Sequence, residues 1–324
     1  MTEDMKEDID IELSDSLQQN IDLIQFFMGK SSDFIMRELY LPNKQRCILY
    51  YLDGMVNRQA LQDHVVSPLL ERVLENGISA KSIKERILNA SEVSIVHAVA
   101  IAMDKIIAGA ALLLIDGSSE GVIIPLPGWE DRSITESQTQ SAVRGPQNSF
   151  TESICTNRTL VRRIAKDTRV RVTTIKVGKL TKTDVSIMHI QGLADEKLVN
   201  QLVDRLQHLS TDRILEGQYI EELLTQKKQW TFFPTFYNSD RPDSIAAGIL
   251  DGKIAIFVDG TPFVLLIPAF FTDFIHSVED HYQSYGSTDK AIIVESKLID
   301  YIKWYKFILV QRRNYVIIIS AVAT

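Results

Sequence analysis

One pattern runs through this chain twice, and a repeat narrows the possible folds more than any composition can. CILYYLDGMVNRQALQDHVVSPLLE (Cys47 to Glu71) and VSIMHIQGLADEKLVNQLVDRLQ (Val185 to Gln207) share one layout. Each has an apolar strand, a polar residue and glycine (Asp53-Gly54, Gln191-Gly192), then Asn57 or Asp195 ahead of a helical segment. Such a residue is a natural N-cap, because its side chain accepts from the first free amides of a helix. A second pair follows in the same order: AALLLIDGSSEGVIIPLP (Ala110 to Pro127) and KIAIFVDGTPFVLLIPA (Lys253 to Ala269). Asp-Gly between two apolar runs signals a hairpin, glycine supplying the positive φ of a tight turn. The register shift is 138 residues between Gly54 and Gly192 and 143 between Gly117 and Gly260. Two copies of one unit, roughly residues 20–128 and 157–282, account for this near-constant shift.

Each copy reads helix, strand, strand, helix, helix, strand, strand. The predicted fold class is therefore α/β, with two related subdomains from an internal duplication, each a mixed sheet flanked by helices. Strands such as CILYYL, ALLLI and IAIFV are continuously apolar, which implies burial on both faces. The aromatic run Trp230 to Tyr237 contains Pro234, so it reads as an extended loop or edge strand covering the core. Expected boundaries are an acidic tail at 1–20, subdomain 1 at 21–128, a polar connector at 129–156, subdomain 2 at 157–282 and an atypical C-terminal segment at 283–324. The connector matches neither a helical nor a strand period, and a loop of that length is more often interdomain or functional than internal to a compact domain.

Charge is unevenly spread. Of the net −7, residues 1–16 contribute −6, whereas Arg144 to Lys182 carries ten basic residues against Glu152 and Asp167. Within the basic stretch, Leu160, Val161 and Ile164 mark an amphipathic helix with Arg158, Arg162 and Arg163 on or near its polar side. That face reads first as solvated or salt-bridged, then as a contact for anionic lipid headgroups or a partner subunit. Nucleic acid is not expected as a partner, since interleaved aromatics are lacking. Cys47 and Cys155 fit neither a disulfide framework nor a zinc site, and the N-terminus lacks a secretory signal pattern. The nucleotide-binding and zinc-hydrolase signatures are absent, and the six histidines lack partners at ligand spacing, so no enzyme activity, cofactor or metal is expected.

PLPGWEDRSITESQTQSAVRGPQNSFTESICTNRTLVRRI, then GKLTKTDVSIMHIQGLADEKLV, ILEGQYIEELL, RPDSIAAGILDGKIAIFVDGTPFVLLIPA and SVEDHY resemble, in order, the A-subunit family of spore germinant receptors of endospore-forming bacteria. The resemblance runs from Lys30 to Tyr282. It implies the large soluble N-terminal region of that subunit, built of two related α/β subdomains on the cytosolic side of the spore inner membrane. It also implies B and C subunits as partners, homo-oligomerisation of the full-length subunit, and a signalling role without catalysis. The family pattern falls on Arg132, Glu136, Arg144, Gly145, Pro146, Phe150, Thr151 and Glu152, followed by Asn157, Arg162 and Arg163. With Arg158 these are the candidate ligand or interlobe contacts. After VEDHY the sequence departs from the family, and its apolar pieces FILV and YVIIISAVA are shorter than a helical span requires, so the chain alone is expected to be soluble. A second reading is a small-molecule binding module, with Arg144, Arg158 and Arg162 holding an anionic group in a cleft between the lobes.

Overall fold

The structure is a computed structural model and describes residues 11–71, 80–86, 93–128, 148–209, 217–224, 235–270 and 273. Lobe 1 contains α1 (Leu17–Met28), β1 (Phe34–Tyr40) and β2 (Arg46–Leu52). A helical run follows, made of α2 (Arg58–Leu61), a π-helical turn (Gln62–Val66) and α3 (Ser67–Glu71). It is completed by α4 (Ala80–Arg86), β3 (Ser94–Val96), α5 (Val99–Ile107), β4 (Ala110–Ile115) and β5 (Gly121–Pro125). Lobe 2 repeats the order with α6 (Ile154–Ile164), β6 (Val170–Val177), β7 (Thr183–Ile190), α7 (Glu196–Gln207) and α8 (Gly217–Leu224). It ends with β8 (Tyr237–Ser239), α9 (Pro242–Leu250), β9 (Ile254–Val258) and β10 (Val264–Ile267).

The two five-stranded sheets have the same order, β1-β2-β4-β5-β3 and β6-β7-β9-β10-β8. The expected helix-flanked α/β sheets are present in both lobes, and every pairing among the described strands is antiparallel, so strand direction within them is not mixed. The reason is local: the sequence-adjacent pairs β1–β2 and β4–β5 close through short turns, and each long helical excursion returns to an antiparallel neighbour. The Asp-Gly hairpins form as anticipated, with φ +80° at Gly117 and +87° at Gly260. Strands β3 and β8 are edge strands of three residues, too short to show a period. Of the aromatic run, Trp230 to Pro234 lie outside the described residues; Tyr237 opens the β8 edge strand, and Phe236 is buried beside it.

Each sheet is covered on both faces, which explains the unbroken burial of β4 and β9. In lobe 1, α1 and α5 pack on one face through Ile21, Ile24, Ala102 and Met103. On the other, Leu61, Val65, Leu69 and Ile83 close the core against Leu49 and Leu113. Lobe 2 does the same with α6 and α9 on one face and α7 and α8 on the other.

The duplication extends to single hydrogen bonds. Asn20, fully buried, accepts from the Ser14 N–H at 2.8 Å and donates to the Ser14 carbonyl at 2.7 Å. Asn157 does the same to Thr151, at 2.8 and 2.6 Å. Leu13 N–H donates to the His97 carbonyl as Phe150 N–H does to Asp240, and Gly117 N–H reaches the Asp15 carbonyl as Gly260 N–H reaches Glu152. The repeat therefore begins at Leu13 and Phe150. Residues 11–20, assigned by charge to the tail, include the core side chains Leu13 and Leu17, and α1 starts at Leu17. Acidic residues flanking a short apolar set hid that onset.

Removing either asparagine leaves a buried amide and carbonyl without partners, a loss of about 2 kcal/mol each. Asn20→Ala and Asn157→Ala should lower the denaturation midpoint by similar amounts, and their effects should add to within about 0.5 kcal/mol, because they lie in different lobes. Chemical denaturation of the two single variants and the double variant checks this.

Candidate functional site

The site is the seam where α6 of lobe 2 lies against lobe 1. Arg162 is 1 % exposed, and its Nε donates to Asp33 Oδ2 at 2.8 Å while Nη2 donates to Asp33 Oδ1 at 2.9 Å. Asp33 lies in the turn between α1 and β1 and is itself 3 % exposed. The same turn supplies Ser31, whose hydroxyl donates to Asp33 and accepts from Arg162 Nη2 and from the Val172 N–H of β6. Ser32 completes the join: its N–H donates to the Val172 carbonyl at 2.8 Å, and its Oγ accepts from the Thr174 N–H at 3.1 Å. Lobe 1 thus caps the outer edge of the lobe 2 sheet, a place where unpaired backbone would otherwise be exposed.

A buried bidentate pair of this kind is marginal against an apolar substitute but costly to break, because the surviving charge is stranded in a dry site. Burial by itself would raise the Asp33 pKa. The charge and hydrogen bonds of Arg162, with help from Ser31 and from Arg158, outweigh it and hold the carboxyl below its ordinary value of 3.8. The seam is also tight in backbone terms. Arg171 Nη2 donates to the Phe27 carbonyl at 3.0 Å, and a Cβ on Gly29, whose φ is +57°, would collide with its guanidinium. A Cβ on Gly54 (φ +82°) would collide with Thr159 Oγ1 on α6. Gly54 in the first repeat is therefore a docking position as well as a turn, while its counterpart Gly192 has open space around it.

Beside these contacts lies a cleft of about 520 Å³, lined on the lobe 1 side by Asp53, Asn57 and Arg58 and on the lobe 2 side by Cys155, Thr159 and Arg163. Pro127, Gly128 and Ser153 also line it, so both ends of the polar connector border the cleft. Arg58 is ion-paired to Asp53. Cys155 Sγ lies 3.9 Å from Asp53 Oδ2, and burial, helped by that carboxylate, pushes the thiol pKa up, so it stays protonated and a poor nucleophile.

Of the residues singled out by sequence, Arg162 meets lobe 1 directly, and Arg163 lines the cleft. Arg158 turns onto its own sheet, with Nη1 donating to Thr174 and Ser186. Phe150, Thr151, Glu152 and Asn157 fix the start of lobe 2: Phe150 packs in its core and meets Phe257 edge-on at 6.0 Å, and the others make the bonds described above. Arg132, Glu136, Arg144, Gly145 and Pro146 lie outside the described residues. Asp33, Ser31 and Gly54 went unrecognised as seam residues in the sequence, because their partners on α6 and β6 are more than 100 positions away. No cluster of His, Cys, Asp and Glu among the described residues could hold a metal ion. The serine-hydrolase signature is not absent with the others, contrary to expectation: Gly117-Ser118-Ser119-Glu120-Gly121 satisfies its G-x-S-x-G pattern. It forms the β4–β5 hairpin and not the strand-to-helix elbow that makes such a serine a nucleophile.

His189 lies near the seam, in the cross-strand position to Arg171. Burial pushes its pKa below the ordinary 6.5; Glu196, with its carboxylate 3.9 Å away, opposes the shift and Arg171 adds to it. The folded state thus takes up this proton less readily than the unfolded chain. Stability from this residue is complete above about pH 6.5 and declines as pH falls below it. His189→Gln should flatten the decline between about pH 7 and pH 5, before the carboxylates titrate, as read by denaturant midpoints across that range.

A profile of the family described as Bacillus/Clostridium GerA spore germination protein matches residues 22–293. Spore germination protein KA of Bacillus subtilis is 37 % identical over 276 residues, covering 84 % of this chain and 51 % of its own length. Spore germination protein GerLA of Bacillus cereus is 33 % identical over 84 % of this chain and 56 % of its own. The uncharacterized membrane protein YfkQ of Bacillus subtilis is 32 % identical over 88 % of this chain and 55 % of its own. The chain therefore spans about half the length of the curated relatives it matches. Its fold is similar to the crystal structure of the N-terminal domain of the A subunit of the Bacillus megaterium spore germinant receptor GerK3, with a TM-score of 0.63, 34 % identity, and coverage of 81 % of this chain and 98 % of that one. The chain belongs to the GerA family of spore germination proteins.

Proposed function

We propose that this two-lobed region acts without catalysis, as the signalling scaffold of a germinant-receptor A subunit. It receives a change from B and C subunits and passes it, through the angle between its lobes, to the membrane part at the spore inner membrane, from the cytosolic side. The observation that supports this is the Arg162–Asp33 pair, which ties α6 of one lobe to the α1–β1 turn of the other and leaves both charges buried. A contact that is costly to break halfway favours two discrete arrangements over a continuous wobble. Among the described residues no helix is long and apolar enough to cross a membrane.

Arg162→Ala should cost about 3–5 kcal/mol by stranding Asp33, whereas the paired apolar replacement Asp33→Leu with Arg162→Met should recover most of that stability. In spores carrying the full-length subunit, the paired replacement should still slow the germination response, because the lobes stay folded and the charged latch is gone. Germination assays with immunoblots for subunit level check this; a normal response at normal level contradicts the scaffold reading.

A second reading has an observation of its own. Arg158 Nε and Arg162 Nη1 are buried donors without partners among the described residues, on the helix that lines the cleft. An anionic small molecule entering the seam would satisfy such groups. A thermal-shift screen of carboxylates, amino acids and phosphates tests it, since a ligand at a hundred times its dissociation constant adds about 2.7 kcal/mol of stability.

A further inference from the structure

We propose that the β6–β7 hairpin tip of lobe 2 is a contact for an anionic bilayer surface. The turn Gly178-Lys179-Leu180-Thr181-Lys182 links Val177 to Thr183 and is closed by the Lys182 N–H on the Gly178 carbonyl at 3.1 Å. Leu180 stands at its tip, 79 % exposed, as exposed as any large apolar side chain described. Lys179 and Lys182 flank it, exposed and without an ion pair among the described residues. Lys176, on the strand below, is 70 % exposed and only loosely met by Asp184 at 3.4 Å. An exposed leucine flanked in the turn by two exposed lysines, with Lys176 on the strand below, has the chemistry of an interfacial contact. The apolar tip enters the headgroup boundary while the lysine stems lie along it with their charges on lipid phosphates.

The duplicated fold supplies the control. The equivalent β1–β2 turn of lobe 1, Leu41-Pro42-Asn43-Lys44-Gln45, has the same length, yet it has the polar Asn43 where lobe 2 has Leu180, and it carries one lysine where lobe 2 carries two. The fold therefore does not require an exposed leucine or a lysine cluster in this turn. Of the net −7, −6 sits in residues 1–16, so an anionic surface repels that end of the chain and attracts it where cations are concentrated. That selects an orientation with the tip towards the lipid. The contact is weak singly, each lysine contributing about fivefold in affinity, and it falls off with salt. This inference does not depend on the scaffold reading, which concerns the seam.

The test places an environment-sensitive fluorophore at the tip, on Thr181→Cys in a Cys155→Ser background of the full chain. A probe at the tip reports that site alone, whatever other segments do. The expected result is a blue shift with phosphatidylglycerol-containing vesicles, none with pure phosphatidylcholine, and loss of the shift in high salt. Lys179→Glu with Lys182→Glu, and separately Leu180→Asp, should abolish it with no change in denaturation midpoint, because none of these side chains is in a core. Equal shifts with both vesicle types, or an unaffected signal in the variants, would overturn the proposal. So would a shift that grows with protein concentration without vesicles, which would mean that the tip packs against a second copy.

Discussion

The arrangement of the two lobes depends on a single buried ion pair. Arg162 and Asp33 are withdrawn from water and meet in bidentate geometry, with Ser31 bridging the pair to the backbone of β6. Neither residue is tolerable in its position without the other. Once they meet, the Ser32–Val172 and Ser32–Thr174 bonds, the Arg171–Phe27 bond and the close approach of α6 to Gly54 follow from the same placement. Each is a short polar contact across a gap that hydrophobic burial does not fill, since the core clusters stay within their own lobes.

The duplication shows what belongs to the fold and what was added. The Asn20 and Asn157 clasps, the Asp-Gly hairpins and the strand orders recur, so they specify a lobe. In the register of the clasps, Arg162 stands where lobe 1 has Gln25, and Asp33 where lobe 2 has Val170. The latch is therefore one-sided: it joins two copies of a unit without being part of the unit. The same contrast appears at Gly54, which receives α6, against the open Gly192.

Much of the lobe was legible in the sequence because its signals are local. Asp-Gly turns, N-caps such as Asn57 and Asp195, and unbroken apolar strands each act over a few residues. β3 escaped because three residues carry no period, and the onset of α1 was masked by its acidic surroundings. At the seam the sequence offered half of the pair. Arg162 stood out on a basic amphipathic helix, but helical periodicity cannot distinguish a solvated guanidinium from one buried against another lobe. Asp33, in a polar turn of serines, resembled any surface aspartate. Its identity as the partner is a tertiary fact, set by a contact across 129 positions.

The central claim is that the lobes are locked along the β6 edge by the serine turn and the ion pair. Site-resolved native-state hydrogen exchange tests it most directly, at the Val172 and Thr174 amides, which donate to Ser31 and Ser32 of the other lobe. If the lobes are locked, protection at these amides is comparable to that of the central strands β4 and β9, with exchange only through global unfolding. Fast local exchange there, with β4 and β9 still protected, would show that the lobes part freely and would contradict it.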